Sequence, residues 1–347
     1  MVNGLRTRFR ATPLFTAFTI LLTLLPGIAL AEDEINGADT AWIMTSSALV
    51  LLMPLPGLAL FYGGLVRVKN ILSVLMQCMM AAGLVGVLWV VAGYSLAFGE
   101  GNQFVGDLSM VMLTGLPPDS VSGTIPTYVF VMFQGMFAII TPALMLGAFA
   151  ERIRFSAYLA FITIWLFVVY IPLAHMVWGG GWIGSQLGAL DFAGGLVVHM
   201  SSGFSALVAC IVLGPRLGHG KEPMPPNRLP YTMIGASLLW VGWFGFNAGS
   251  ELAADGIAGL AFLTTQTATA TAGPLLTWPS LIYSNTATIH VATIQFIHSF
   301  LCFTVVGHLD KAESFRLARE LVHDQLCAHY IPELCKKIPK FIFGRLI

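Results

Sequence analysis

The chain has 347 residues, of which 56% are hydrophobic and only 10% charged, and its mean hydropathy is +0.81. That balance excludes a soluble globular domain and a disordered chain, and it implies an all-α polytopic membrane protein, because in lipid each span must satisfy its own backbone. Seventeen Lys plus Arg face seventeen Asp plus Glu, so the formal net charge is zero and gives no electrostatic case for a nucleic-acid partner.

Residues 1–31 have the order of a secretory signal: basic Arg6, Arg8 and Arg10, an apolar stretch over 14–25, then Ala29-Leu30-Ala31 before Glu32-Asp33-Glu34. Cleavage after Ala31 places the mature N-terminus on the outer face of the membrane. A retained first span is the alternative, since the run is nearly long enough to cross. Beyond it, windows long enough to cross as helices fall at about 41–62, 71–98, 125–150, 156–177, 193–214, 231–250 and 256–277, with a further candidate at 281–308.

Basic residues set the sidedness. Arg67 and Lys69 follow the first span, Arg152 and Arg154 the third, and Arg216, Lys221 and Arg228 the fifth, whereas 99–124 and the stretch around 179–182 hold no Lys or Arg. These loops alternate as inner and outer loops do, again with an outer N-terminus. The spans are rich in Gly and Ala, which permits close helix contact where lipid supplies no hydrophobic drive. Residues 214–230 are Pro-rich and turn-rich, a linker between two bundles.

The segment 188–203, GALDFAGGLVVHMSSG, is apolar enough for a bilayer yet holds Asp191 and His199. A titratable group at that depth is costly and marks a partner, a cavity or a route. On a continuous helix the two stand about 12 Å apart along the axis and about 80° around it, lining one cavity without touching. At a helix N-terminus Asp191 caps backbone N–H groups, and its negative charge also attracts a cation. Phe133 and Phe137, spaced i, i+4, share one helix face, and Trp178 stands just before Gly179-Gly180-Gly181, where interfacial anchoring is the bland explanation. Trp243, Phe246, Asn247 and Ser250 fall on helical spacings in WVGWFGFNAGSEL, near an outer membrane boundary. Aromatic rings hold a desolvated cation through their negative faces.

Three segments, FQGMFAIITPALMLGAFAERIRFSAY, HMVWGGGW followed by GALDFAGGLVVHMSSG, and WFGFNAGSELAADG, together resemble the ammonium transporter family (Amt/Mep/Rh) over about residues 41–278. The resemblance implies ammonium recruitment at an outer vestibule by Trp178, Phe133 and Ser250, with Asp191 nearby. It implies a pore gate of Phe137 and Phe246, and His199 as the first of two pore-lining histidines. It further implies a homotrimer in the inner membrane, each subunit built of two inverted five-helix repeats, with ammonium or ammonia as substrate, no cofactor, and a PII-type regulator as a possible partner.

After residue 278 the motifs fade, so the first repeat reads as complete and the second as incomplete. The expected organisation is a signal peptide (1–31), a membrane domain (32–278) and a divergent C-terminal segment (279–347). His290, His298 and His308 lack the family's surrounding motif. The tail from Asp310 places Phe315, Ala318, Val322 and Leu326 on one helical face. Its His323, Cys327, His329 and Cys335 fit no zinc spacing, so no metal is expected, and Cys78, Cys210 and Cys302 complete a set with no CxxC pair. The basic ending Lys336, Lys337 and Lys340 places the tail inside, whereas a crossing by 281–308 places it outside; both cannot hold. The leading expectation is ammonium/ammonia transport. The alternatives are a non-conducting ammonium receptor and an inactive truncated product. Nothing around Asp191 and His199 supplies the nucleophile or metal of an enzyme.

Overall fold

The computed structural model describes residues 34–282. The chain falls into two compact units, Met1–Glu34, almost wholly outside the described residues, and Ile35–Ile347, to which everything below belongs. The expected signal peptide, the 281–308 span apart from its first two residues, and the amphipathic tail lie outside the described residues.

Among the described residues, six helices are long and apolar enough to cross a membrane: α1 (Gly37–Leu65), α2 (Val68–Phe98), α3 (Thr127–Phe149), α4 (Phe155–Ser185), α5 (Gly195–Leu213) and α6 (Leu229–Glu251). A seventh long helix, α7 (Gly256–Ile282), follows where the window 256–277 was expected. A two-residue antiparallel pairing, Val121–Ser122 with Ile125–Pro126, sits in the long loop before α3. Each of the seven windows expected between 41 and 277 thus holds a long helix, with ends displaced by up to eight residues.

Helix α3 is central: 72% of its apolar window is buried, against 17% for α5. The seam between α1 and α6 is built on glycine. A Cβ at Gly245 would lie 2.7 Å from the Ser46 carbonyl oxygen, and one at Gly235 would lie 2.6 Å from that of Gly57 and overlap the Phe61 nitrogen. Only hydrogen at these positions lets the backbones approach, so packing supplies the association that lipid does not.

Five of the six spans contain a π-helical turn, at Met53–Leu58, Trp89–Gly93, Leu166–Tyr170, Gly195–Met200 and Phe244–Ala248. In α1 the cause is local, because Pro54 and Pro56 lack the N–H that an α-turn needs. In α4, Pro172 follows the turn closely. The other turns have no proline inside them, and two of them, in α5 and α6, carry site residues.

The two ends of the bundle are tied differently. At the basic end, Glu151 is 1% exposed at its side chain and draws three loops together. Its Oε1 accepts from the Arg67 backbone N–H at 2.7 Å, and its Oε2 from Arg67 Nε at 2.8 Å and Arg216 Nη1 at 3.4 Å. Arg152 Nη1 donates to the Gly214 carbonyl at 2.9 Å beside them. At the opposite end, buried Asp39 accepts from Ala254 N at 2.8 Å and from the Thr124 hydroxyl, joining the start of α1 to the α6–α7 turn and the loop before α3. His175, 3% exposed, has its ring nitrogens 3.0 and 2.7 Å from the carbonyl oxygens of Ala97 and Asn102, which fastens α4 to the loop after α2.

Two outcomes follow from this frame. Gly235→Ala forces apart two backbones, and thermal unfolding in detergent should register a loss of about 1–3 kcal/mol. Burial pushes the Glu151 carboxyl up, but the Arg67 N–H, the Asn70 side chain and the charges of Arg216 and Arg67 outweigh it and hold it below its ordinary 4.5. A carboxylate depressed in the folded state stabilises fully above its unfolded value and loses that contribution as pH falls through the folded one. Unfolding midpoints should therefore fall more steeply below pH 4.5 in the parent than in Glu151→Gln; parallel slopes would show that the clamp contributes nothing.

Candidate functional site

Asp191 lies in the turn before α5, after which Gly194 adopts a left-handed conformation (φ 91°). Its carboxylate meets the free end of the helix: Oδ1 accepts from Gly194 N at 2.8 Å and Gly195 N at 2.6 Å, and Oδ2 from Leu196 N at 2.8 Å and Val197 N at 3.0 Å. These are the backbone donors that an α-helix start leaves without partners. A carboxylate has about four acceptor directions, so this one is filled by the protein. The expected spacing of Asp191 and His199 along and around one helix does not hold, because Asp191 is outside the helix and His199 is inside a π turn.

The same residue fixes a second site side chain. The Trp178 indole N–H donates to the Asp191 carbonyl oxygen at 2.7 Å, so the half-buried ring at the end of α4 is locked to the turn that starts α5. Trp178 stands edge-on to Phe137, centroids 5.9 Å apart and planes at 86°.

From there a line of rings runs into the bundle. Phe133 and Phe137 are 5.1 Å apart on α3, as their i, i+4 spacing predicts. Phe137 meets Phe246 of α6 at 4.4 Å, and Phe246 meets the His199 imidazole at 5.6 Å. All three phenylalanines are at most 2% exposed. Ser250 Oγ donates to the Phe246 carbonyl at 2.8 Å, so its hydrogen is used and its lone pairs remain to accept.

The structure thus brings together Phe133, Phe137, Trp178, Asp191, His199, Phe246 and Ser250 from α3, α4, α5, α6 and one turn. Phe246 and Asn247 sit in the π turn Phe244–Ala248, and Ser250 in a short 3₁₀ turn after it, rather than on one regular helical face. The chemistry available is recognition of a small cation by ring faces and a hydroxyl oxygen, followed by a constriction of two rings and then an imidazole. Sequence reasoning passed over Asp39, Ser46 and His175. Ser46 is fully buried against the Phe133–Gly249 contact. A polar residue at an apolar position was the available signal. Among the described residues, no group of three or more His, Cys, Asp or Glu could hold a metal ion.

Fold and site define a polytopic helical membrane protein with a series of packed aromatic rings leading to a half-buried imidazole. The Ammonium Transporter Family model matches residues 41–299, and the chain belongs to that family. The match runs past residue 278, where the recognisable motifs fade. The chain is 52% identical over 234 residues to an ammonium transporter of Bacillus subtilis, an alignment covering 67% of this chain and 57% of that relative. It therefore spans little more than half the length of that relative. Among solved structures, Candida albicans Mep2 aligns with a TM-score of 0.66 and 39% identity over 74% of this chain and 58% of that one. A sensor Amt protein aligns at 0.67 and 25% identity over 78% and 72%.

Asp191→Ala should strip the partners from four amides and free the Trp178 turn. Hydrogen exchange at residues 194–197 should accelerate, with a stability loss of about 2–3 kcal/mol for the unsatisfied helix end. Unchanged exchange there would mean that the carboxylate does not hold the helix start.

Proposed function

We propose that the chain moves ammonium/ammonia across the inner membrane, with the mature N-terminus and the Trp178 end of the bundle on the outer face. The observation that carries this reading is the unbroken ring series Phe133, Phe137, Phe246 and His199, with Trp178 and Ser250 at its mouth. Ammonium has the charge of potassium and nearly its size, so selection must use its N–H donors and ring faces. In this reading Trp178 and Phe133 hold the cation and the Ser250 oxygen accepts one of its hydrogens. Asp191 contributes charge and fixes the turn rather than touching the substrate.

A bare cation in a dry passage is far costlier than neutral ammonia, so ammonium gives its proton to water at the outer mouth and ammonia moves on. Phe137 and Phe246, 4.4 Å apart, leave no opening and act as a gate that must swing. His199 beyond it accepts a hydrogen bond from ammonia or relays a proton. The organisation proposed is a cleaved signal at 1–31, a membrane domain at 32–278 and a divergent segment at 279–347. A homotrimer of inverted-repeat subunits and a PII-type regulator are carried from family resemblance alone.

Methylammonium uptake into vesicles tests the reading. Saturable uptake is expected in the parent, falling about tenfold or more in His199→Ala if the imidazole's contact with the amine is worth one strong hydrogen bond. Binding without uptake in the parent would turn the reading to a receptor, and neither binding nor uptake would remove both.

A further inference from the structure

We propose that Asn247 and Thr265 form a positioning pair through which α7 sets the Phe246 ring; this rests on Phe246 being a gate residue. The π turn Phe244–Ala248 does not fix its own side chains as a regular helix does, since its widened repeat breaks the i, i+4 relation. Two of its side chains are fixed from outside, by the same helix. Asn247 Nδ2 donates to Thr265 Oγ1 at 3.0 Å, with the residues 5% and 7% exposed, and the Phe244 ring stacks on Phe262 at 4.2 Å and 17°. With Phe244 and Asn247 both turned to α7, the intervening Phe246 is left to face Phe137 and His199.

The bond has one sense. The Thr265 hydroxyl spends its hydrogen on the Ala261 carbonyl at 2.6 Å, so only its lone pairs serve Asn247, and this orients the amide. A third tie comes from α1, where Trp42 Nε1 donates to the Ala248 carbonyl at 3.3 Å and the Trp42 ring stands 6.4 Å from the same Phe262. An apolar pair could fill the same space, but only a directional one specifies the rotation of the turn. Loss of the acceptor would leave a buried amide donor without its partner, and the turn would rotate to find another.

The test uses the full chain with its five cysteines replaced by alanine and His199→Cys as a reporter beyond the gate. The reporter is labelled by a methanethiosulfonate added from the Trp178 side. Thr265→Val should raise the labelling rate about fivefold or more, as expected for loss of one buried hydrogen bond, while Thr265→Ser keeps the parent rate. Thr265→Ala removes the same hydroxyl without a β-branch and serves if the valine variant fails to fold. Rates in Val and Ala equal to the parent, with Phe246→Ala faster, would overturn the proposal. A Phe246→Ala rate equal to the parent would remove the gate reading beneath it. Labelling reports ring position whether or not the chain conducts, so absent methylammonium uptake defeats the transport reading without deciding this one.

Discussion

The site depends on the satisfaction of one helix end. Helix α5 must begin near the membrane boundary, where its first N–H groups cannot count on water, and each such group left alone costs several kcal/mol in apolar surroundings. Asp191 meets four of them with two oxygens. Its own carbonyl takes the Trp178 indole. One residue therefore fixes the depth of His199, eight positions on, and the attitude of the ring at the mouth. Because both bonds belong to a single short turn, the two ends of the aromatic series cannot shift independently at that point.

The bundle around this turn keeps its tolerance small by two means. Glycine at the α1–α6 seam brings backbones to contact, so Ser46 on α1 and Gly249 on α6 close around Phe133. Buried carboxylates do the rest at the ends, Glu151 among basic loops and Asp39 among loops without Lys or Arg. The two carboxylates work differently. Glu151 is compensated by guanidinium charge as well as N–H donors, whereas the bonds made by Asp39 come from an amide and a hydroxyl. The first clamp is therefore the more sensitive to salt, and the second depends on local backbone geometry.

The spans were legible because about twenty apolar residues leave a mark in composition alone, and the gathering of Arg67, Arg152 and Arg216 at one end because basic residues cluster in alternate loops. Phe133 and Phe137 were legible as a pair because α3 is the one span without a π turn, so its i, i+4 relation holds. The same reasoning failed for Asp191 and His199. It assumed one regular helix, where a left-handed glycine and a π turn intervene. A π turn has no periodic signature, so the bearing of Phe246 relative to Asn247 and Ser250 could not be computed from spacing. Nor could the Asn247–Thr265, Asp39–Ala254 and His175–Ala97 contacts, which join residues far apart in the chain and depend on how the helices pack.

The occupancy of Asp191 bears on how a cation would be chosen. A carboxylate that accepts four backbone N–H bonds faces the positive end of a helix dipole, worth roughly half an elementary charge, so the field it projects into the mouth is roughly half that of a free carboxylate. That residual charge does not discriminate among monovalent cations. In the proposed reading, discrimination comes instead from groups that respond to N–H donors: the ring faces of Trp178 and Phe133 and the lone pairs of Ser250, whose hydrogen is already committed to the Phe246 carbonyl. In that reading a softened charge also avoids trapping, because a fully exposed carboxylate would hold the cation against the proposed deprotonation. In the proposed transport reading, a helix cap and cation recruitment are therefore compatible only because the cap reduces the charge that recruitment would otherwise use.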